Sequence, residues 1–129
     1  MQHGIRNHIL STYTSNLEPR TSNLEFDHMH KILIIDDDTS LRRVLEYNLQ
    51  EAGYMAFTAA DGETGLTLFD EQQPDLVITD LKMPGMSGFQ VLAAVKERAP
   101  RTPIIVITAF GAVATAVEAM KLGAYDYIT

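Results

Sequence analysis

Short runs of β-branched apolar residues, each ending in a polar cluster, most constrain this chain. Ile32-Leu-Ile-Ile35 is followed by Asp36, Asp37 and Asp38, and Leu76-Val-Ile78 runs into Thr79 and Asp80. Ile104-Ile-Val-Ile107 ends at Thr108 and Ala109. Runs of this length, apolar at successive positions, suit strands buried on both faces of a sheet. The segments between them have a different period. Leu41, Val44, Leu45, Leu49 and Ala52 fall on one face of a helix, with Gly53 placed to end it. Tyr54–Ala59 reads as a second strand. Asp61 caps a helix holding Leu66 and Phe69, with Pro74 beyond its end. The third strand is Asp75–Thr79. Pro84-Gly85 makes a turn, and Ser87 opens a helix with Phe89, Leu92 and Val95 inward. After the fourth strand, Gly111 to Leu122 reads as an Ala-rich helix with Val113, Val117 and Met120 on its apolar stripe. Gly123 stops it, and Tyr125–Ile128 begins a fifth strand.

Strands alternating with helices in units of this size imply a parallel sheet with right-handed crossovers. Ligands of such sheets bind beyond the carboxyl ends of the strands. Those positions hold Asp36, Asp37 and Asp38 after the first strand, Asp80 after the third and Thr108 after the fourth. Carboxylates brought that close raise one another's pKa unless a cation compensates. A hard divalent cation such as Mg²⁺ is the natural partner of such oxygens. Carboxylates, Mg²⁺ and a hydroxyl together make a phosphoryl-transfer site, in which one carboxylate can be the nucleophile.

Composition narrows the function further. Ten basic against 17 acidic residues leave a net charge of −7, which opposes binding to a phosphate backbone. The absence of Cys removes disulfides, Cys-based zinc sites and thiol nucleophiles. No apolar run is long enough to span a membrane, and Met1 to Leu10 has no apolar signal core, so a cytoplasmic location is expected. Residues 1–30 differ from the rest. They hold all four His (His3, His8, His28, His30) and a short repeat, Thr14–Glu18 recurring as Thr21–Glu25. They are expected to form a poorly ordered extension, with residues 31–129 as the folded domain. Met29 is a candidate natural start.

The run Ile32-Leu-Ile-Ile-Asp-Asp-Asp38, with Val77-Ile-Thr-Asp-Leu-Lys-Met-Pro-Gly-Met-Ser-Gly88, resembles the receiver domain of two-component response regulators. Ile104–Ala109 and Gly123–Thr129 continue the likeness, and their wording is most similar to the nitrogen-regulatory, sigma-54-activator type. The resemblance implies a doubly wound, flavodoxin-like α/β fold with five parallel strands in the order 2-1-3-4-5. It implies that Asp80 accepts a phosphoryl group from a sensor histidine kinase. Asp36, Asp37 and Asp80 would hold Mg²⁺ with the backbone carbonyl of Lys82, whose side chain would be free to vary. Thr108 would follow the phosphoryl group, and Tyr127 would change rotamer with it. The surface of the fourth helix and fifth strand would then change for an output domain, a partner protein or a second copy. Asp38 has no role in the family pattern and reads as a cap.

The family pattern continues with a Lys and a last helix, whereas this sequence ends at Thr129. A missing final helix is therefore expected, with apolar surface bared on strands one, three and five. Two rival readings remain at this level. One is a receiver-like interaction module that is never phosphorylated. The other is a haloacid-dehalogenase-like phosphatase, which Asp36–Ser40 nearly fits but the block from Asp80 to Gly85 does not. The expected protein is an acceptor with at most slow autodephosphorylation, not a turnover enzyme. No Gly-rich nucleotide-binding motif occurs.

Overall fold

The computed structural model describes residues 29–109 and 112–129. The elements alternate as expected: β1 (Lys31–Ile35), α1 (Thr39–Glu51), β2 (Met55–Ala59), α2 (Gly62–Gln72), β3 (Leu76–Asp80), α3 (Gly88–Arg98), β4 (Ile104–Ile107), α4 (Val113–Lys121) and β5 (Asp126–Ile128). All strand pairs are parallel, and the sheet order is β2-β1-β3-β4-β5. Among the described residues, no helix follows β5.

Alternation along each strand divides the core into two layers. Leu33 and Ile35 of β1, Val77 of β3 and Ile104 and Val106 of β4 face one side. There they meet Phe69 of α2, Val91, Leu92 and Val95 of α3, and Ala119 of α4. Ile32, Ile34, Ile78, Ile105, Ile107 and Ile128 face the other side with Leu45 and Leu49 of α1. The first crossover therefore lies on one face and the next three on the opposite face. The winding direction reverses between β1 and β3, which opens a crevice at their carboxyl ends.

Helix ends follow local side-chain chemistry. The Asp38 carboxylate accepts the Leu41 amide at 3.1 Å and starts α1, as its place in the sequence suggested. Asp61 caps α2 through the Thr64 amide at 2.8 Å. Ser87 and Gln90 form a reciprocal capping box on α3. Gly53 and Gly123, at φ 96 and 107, take the left-handed conformation after α1 and α4. Gln73 ends α2 in the same region, at φ 52, with a β-carbon to accommodate.

Two expectations need correction. The stripe of Val113, Val117 and Met120 does not enter the core. Val113 is 59% exposed and Val117 45%, while Ala116 and Ala119 are buried. The small alanines let α4 lie close to its neighbours, so the larger residues point away. The apolar surface expected to be bare on β1, β3 and β5 is also not bare. Ile32, Ile34, Ile78 and Ile128 are buried, packed into one cluster with α1 and with Ile105 and Ile107. The proposed extension of residues 1–30 lies outside the described residues, except for Met29 and His30. The His30 ring lies 3.5 Å from the Asp75 carboxylate, at the sheet edge opposite the crevice.

Candidate functional site: an acidic crevice at the strand ends

The strands deliver the predicted residues to one place. β1 ends at Ile35, so Asp36 is the first residue beyond it, and Asp80 closes β3. Parallel register aligns Ile35 with Thr79, so these two acids leave adjacent strands at the same level. One carboxylate oxygen from each of Asp36, Asp37 and Asp80 lies within 4.8 Å of the others. The crevice has a volume of about 230 Å³. Asp36, Asp38, Asp80, Lys82 and Thr108 line it, with Leu41, Leu81, Ala112 and Thr115 around them.

Asp36 is held on every side but one. Its amide donates to the Ala59 carbonyl at 3.0 Å, and its Oδ1 accepts the Asp38 amide at 2.8 Å. Its carbonyl accepts the Arg42 guanidinium at 2.6 Å. The remaining oxygen, Oδ2, is buried and makes no hydrogen bond among the described residues. Burial, above all, pushes the Asp36 carboxyl up to about 6, with Asp80, Asp37 and Asp38 adding repulsion against the Asp38 amide bond. Asp80 is also shifted upward, again mainly by burial. The backbone hydrogen bond from Lys82 opposes that shift, and the charges of Asp37 and Asp38 add to it. Asp37 is exposed at the rim. Three carboxylates with a buried, unbonded oxygen make a donor set fitted to a hard divalent cation.

Thr108 sits across the crevice. It is 7% exposed, and its Oγ1 makes no hydrogen bond among the described residues. Its amide donates to the Ile128 carbonyl at 2.8 Å, so the loop carrying the hydroxyl is tied directly to β5. Tyr127, one residue earlier in β5, is 38% exposed and does not line the crevice. Sequence reasoning missed Arg42 and Thr115. Arg42 reaches Asp36 only because the first turn of α1 folds back over the strand end, and nothing in its spacing signals that. Thr115, in the first turn of α4, also lines the crevice.

Comparison with known proteins agrees with this geometry. The family model described as the response regulator receiver domain matches residues 32–129. The chain is 40% identical over 100 residues to the regulatory protein AtoC of Escherichia coli, covering 78% of this chain and 22% of that protein. It is 38% identical over 112 residues to a probable transcriptional regulator, ycf27, of Guillardia theta, covering 87% of this chain and 44% of that one. The chain thus spans less than half the length of these relatives. Among solved structures, the chemotaxis protein CheY4 of Vibrio cholerae superposes with a TM-score of 0.74 at 34% identity, covering 78% of this chain and 86% of that one. NtrX of Brucella abortus superposes with a TM-score of 0.75 at 31% identity, over 78% of this chain and 23% of that one. The match with NtrX agrees with the expected likeness to nitrogen-regulatory receivers. With strand order, acidic crevice and family match in agreement, this chain belongs to the response regulator receiver domains.

Proposed function

We propose that residues 31–129 form a Mg²⁺-dependent phosphoacceptor in a cytoplasmic phosphorelay, with Asp80 taking the phosphoryl group from a sensor histidine kinase. The observation that carries this reading is the joint placement of Asp36, Asp37 and Asp80 around the buried, unbonded Asp36 Oδ2. Asp36, Asp37, Asp80 and the Lys82 carbonyl would hold Mg²⁺, which when bound offsets the charge of the phosphoryl oxygens. An Asp80 carboxylate oxygen attacks phosphorus, the bond from phosphorus to the kinase imidazole nitrogen breaks, and an acyl phosphate forms. The Thr108 hydroxyl, with no other partner among the described residues, donates to a phosphoryl oxygen.

The switch follows from the backbone link between Thr108 and Ile128. Movement of Thr108 toward the phosphoryl group pulls on β5, and Tyr127 changes rotamer with it. The surface this alters is apolar and exposed: Val113, Val117, Met120, Leu122, Tyr125 and Tyr127. A patch of that kind on a small domain suits a protein partner, here an output domain or a second copy. None of the described helices is long and apolar enough to cross a membrane. The site is tested by incubating the protein with acetyl phosphate and Mg²⁺, reducing the product with borohydride and mapping peptides. Reduction at Asp80 supports the reading. Modification elsewhere, or sustained release of phosphate from p-nitrophenyl phosphate, overturns it.

A further inference from the structure

The sheet has two faces, and the described helices fully account for one of them. α2, α3 and α4 lie on the side of Val77, Ile104 and Val106. On the other side the described residues offer α1, which packs chiefly against β2 and β1. No described helix lies over β4 or the short edge strand β5 on that side. Their residues there are nonetheless closed to solvent: Ile105 is 0% exposed, Ile107 9% and Ile128 6%. Isoleucines projecting from an open face would be wet, and parallel sheets occur with both faces covered. The chain outside the described residues consists of residues 1–28 and the pair Phe110 and Gly111. That pair links β4 to α4, on the opposite face, and is too short to cover a sheet.

The upstream segment has the pattern, the length and the attachment point. Ile5, Ile9, Leu10, Tyr13 and Leu17 recur at i, i+4, i+5, i+8 and i+12, one face of a helix, with Ser11 and Ser15 opposite. Pro19 favours a stop at Glu18. A helix from Ile5 to Glu18 would be about 21 Å long. Strands of 4 and 5 residues, as in β4 and β3, run about 13–17 Å. Residues 19–28 can extend about 33 Å. β4 and β5 lie about 10–15 Å from β1, where the segment joins the sheet. We propose that residues 1–28 are part of the domain, with the apolar stripe of Ile5 to Leu17 docked on Ile105, Ile107 and Ile128. A docked cover thus replaces the poorly ordered extension expected from composition. It braces the switch strand, because the Ile128 carbonyl also holds the Thr108 amide. A chain started at Met29 would lack it.

The test uses the full chain in NMR and hydrogen exchange. The Tyr13 ring or Leu17 methyl protons should show intramolecular NOEs to the methyls of Ile105, Ile107 or Ile128. Amides of residues 9–17 should exchange at least about 10-fold more slowly than in an unstructured chain. Ile9→Ser combined with Leu17→Ser should lower the melting temperature by about 10 °C or more. Ser11→Asn combined with Ser15→Asn, on the opposite side of the stripe, should shift it by less than about 2 °C. If the first double variant fails to fold, the NOEs and exchange rates of wild type still decide. Exchange over residues 9–17 at the unstructured rate overturns the inference, as does a first double variant melting within about 2 °C of wild type. So does a concentration-dependent dimer whose intermolecular NOEs reach those isoleucines, which would make a second copy the occupant. All of these results leave Asp80 as acceptor.

Discussion

Replacing Asp36 with Asn tests the electrostatics of the crevice. Asp36 is 1% exposed, and its carboxyl is pushed from 3.8 up to about 6, chiefly by burial. The folded protein therefore holds this proton more tightly than the unfolded chain does. Its contribution to stability is fully present below 3.8, is lost as pH rises to about 6, and is flat above that. At about 1.36 kcal/mol per pKa unit, the ionised Asp36 costs the metal-free fold up to about 3 kcal/mol near neutral pH. Asn keeps the shape and can still accept the Asp38 amide, but carries no charge. In EDTA at pH 7.5, Asp36→Asn should be more stable than wild type by about 1–3 kcal/mol in urea denaturation. At pH 3.5 that advantage should nearly vanish. Mg²⁺ at a hundred times its dissociation constant should stabilise wild type by about 2.7 kcal/mol and the variant far less. A variant that is less stable than wild type in EDTA at pH 7.5, or that responds equally to Mg²⁺, would refute the account of a strained, cation-seeking carboxylate.

Four further outcomes follow from the packing. A β-carbon on Gly88 would overlap the Asp80 carbonyl oxygen and lie 2.6 Å from Leu81 Cα, all of it backbone, so Gly88→Ala should cost about 2–3 kcal/mol and slow phosphorylation of Asp80. Gly62→Ala meets only the flexible Met86 side chain at 3.0 Å and should cost less than about 1.5 kcal/mol by the same denaturation assay. Gln73→Gly relieves a left-handed residue at φ 52 and should raise stability by about 0.5–1 kcal/mol, read as a higher melting temperature. Ser87→Ala removes half of the capping box that begins α3 and should lose about 1 kcal/mol.

The legible parts of this fold are those decided by chemistry within a few residues. Asp38, Asp61 and Ser87 cap helices because a short oxygen-bearing side chain before an amphipathic run has few other uses. The β-branched runs of β1, β3 and β4 mark a sheet buried on both faces, so the crevice at their ends could be found from the residues that follow them. The stripe on α4 was not legible. Val113, Val117 and Met120 have the spacing of a core face, but the spacing is the same whether a stripe meets the core or a partner. Close approach by Ala116 and Ala119 decided which face turned inward. Arg42 was not legible either, because its role depends on how the turn after β1 folds back toward the crevice.

The most direct measurement is the intact mass of wild type and Asp80→Asn after acetyl phosphate, each with Mg²⁺ and with EDTA. The account predicts one added phosphoryl group on wild type with Mg²⁺, and none on wild type in EDTA or on Asp80→Asn in either condition. An adduct of equal yield on Asp80→Asn, or no adduct on folded wild type with Mg²⁺, would contradict it.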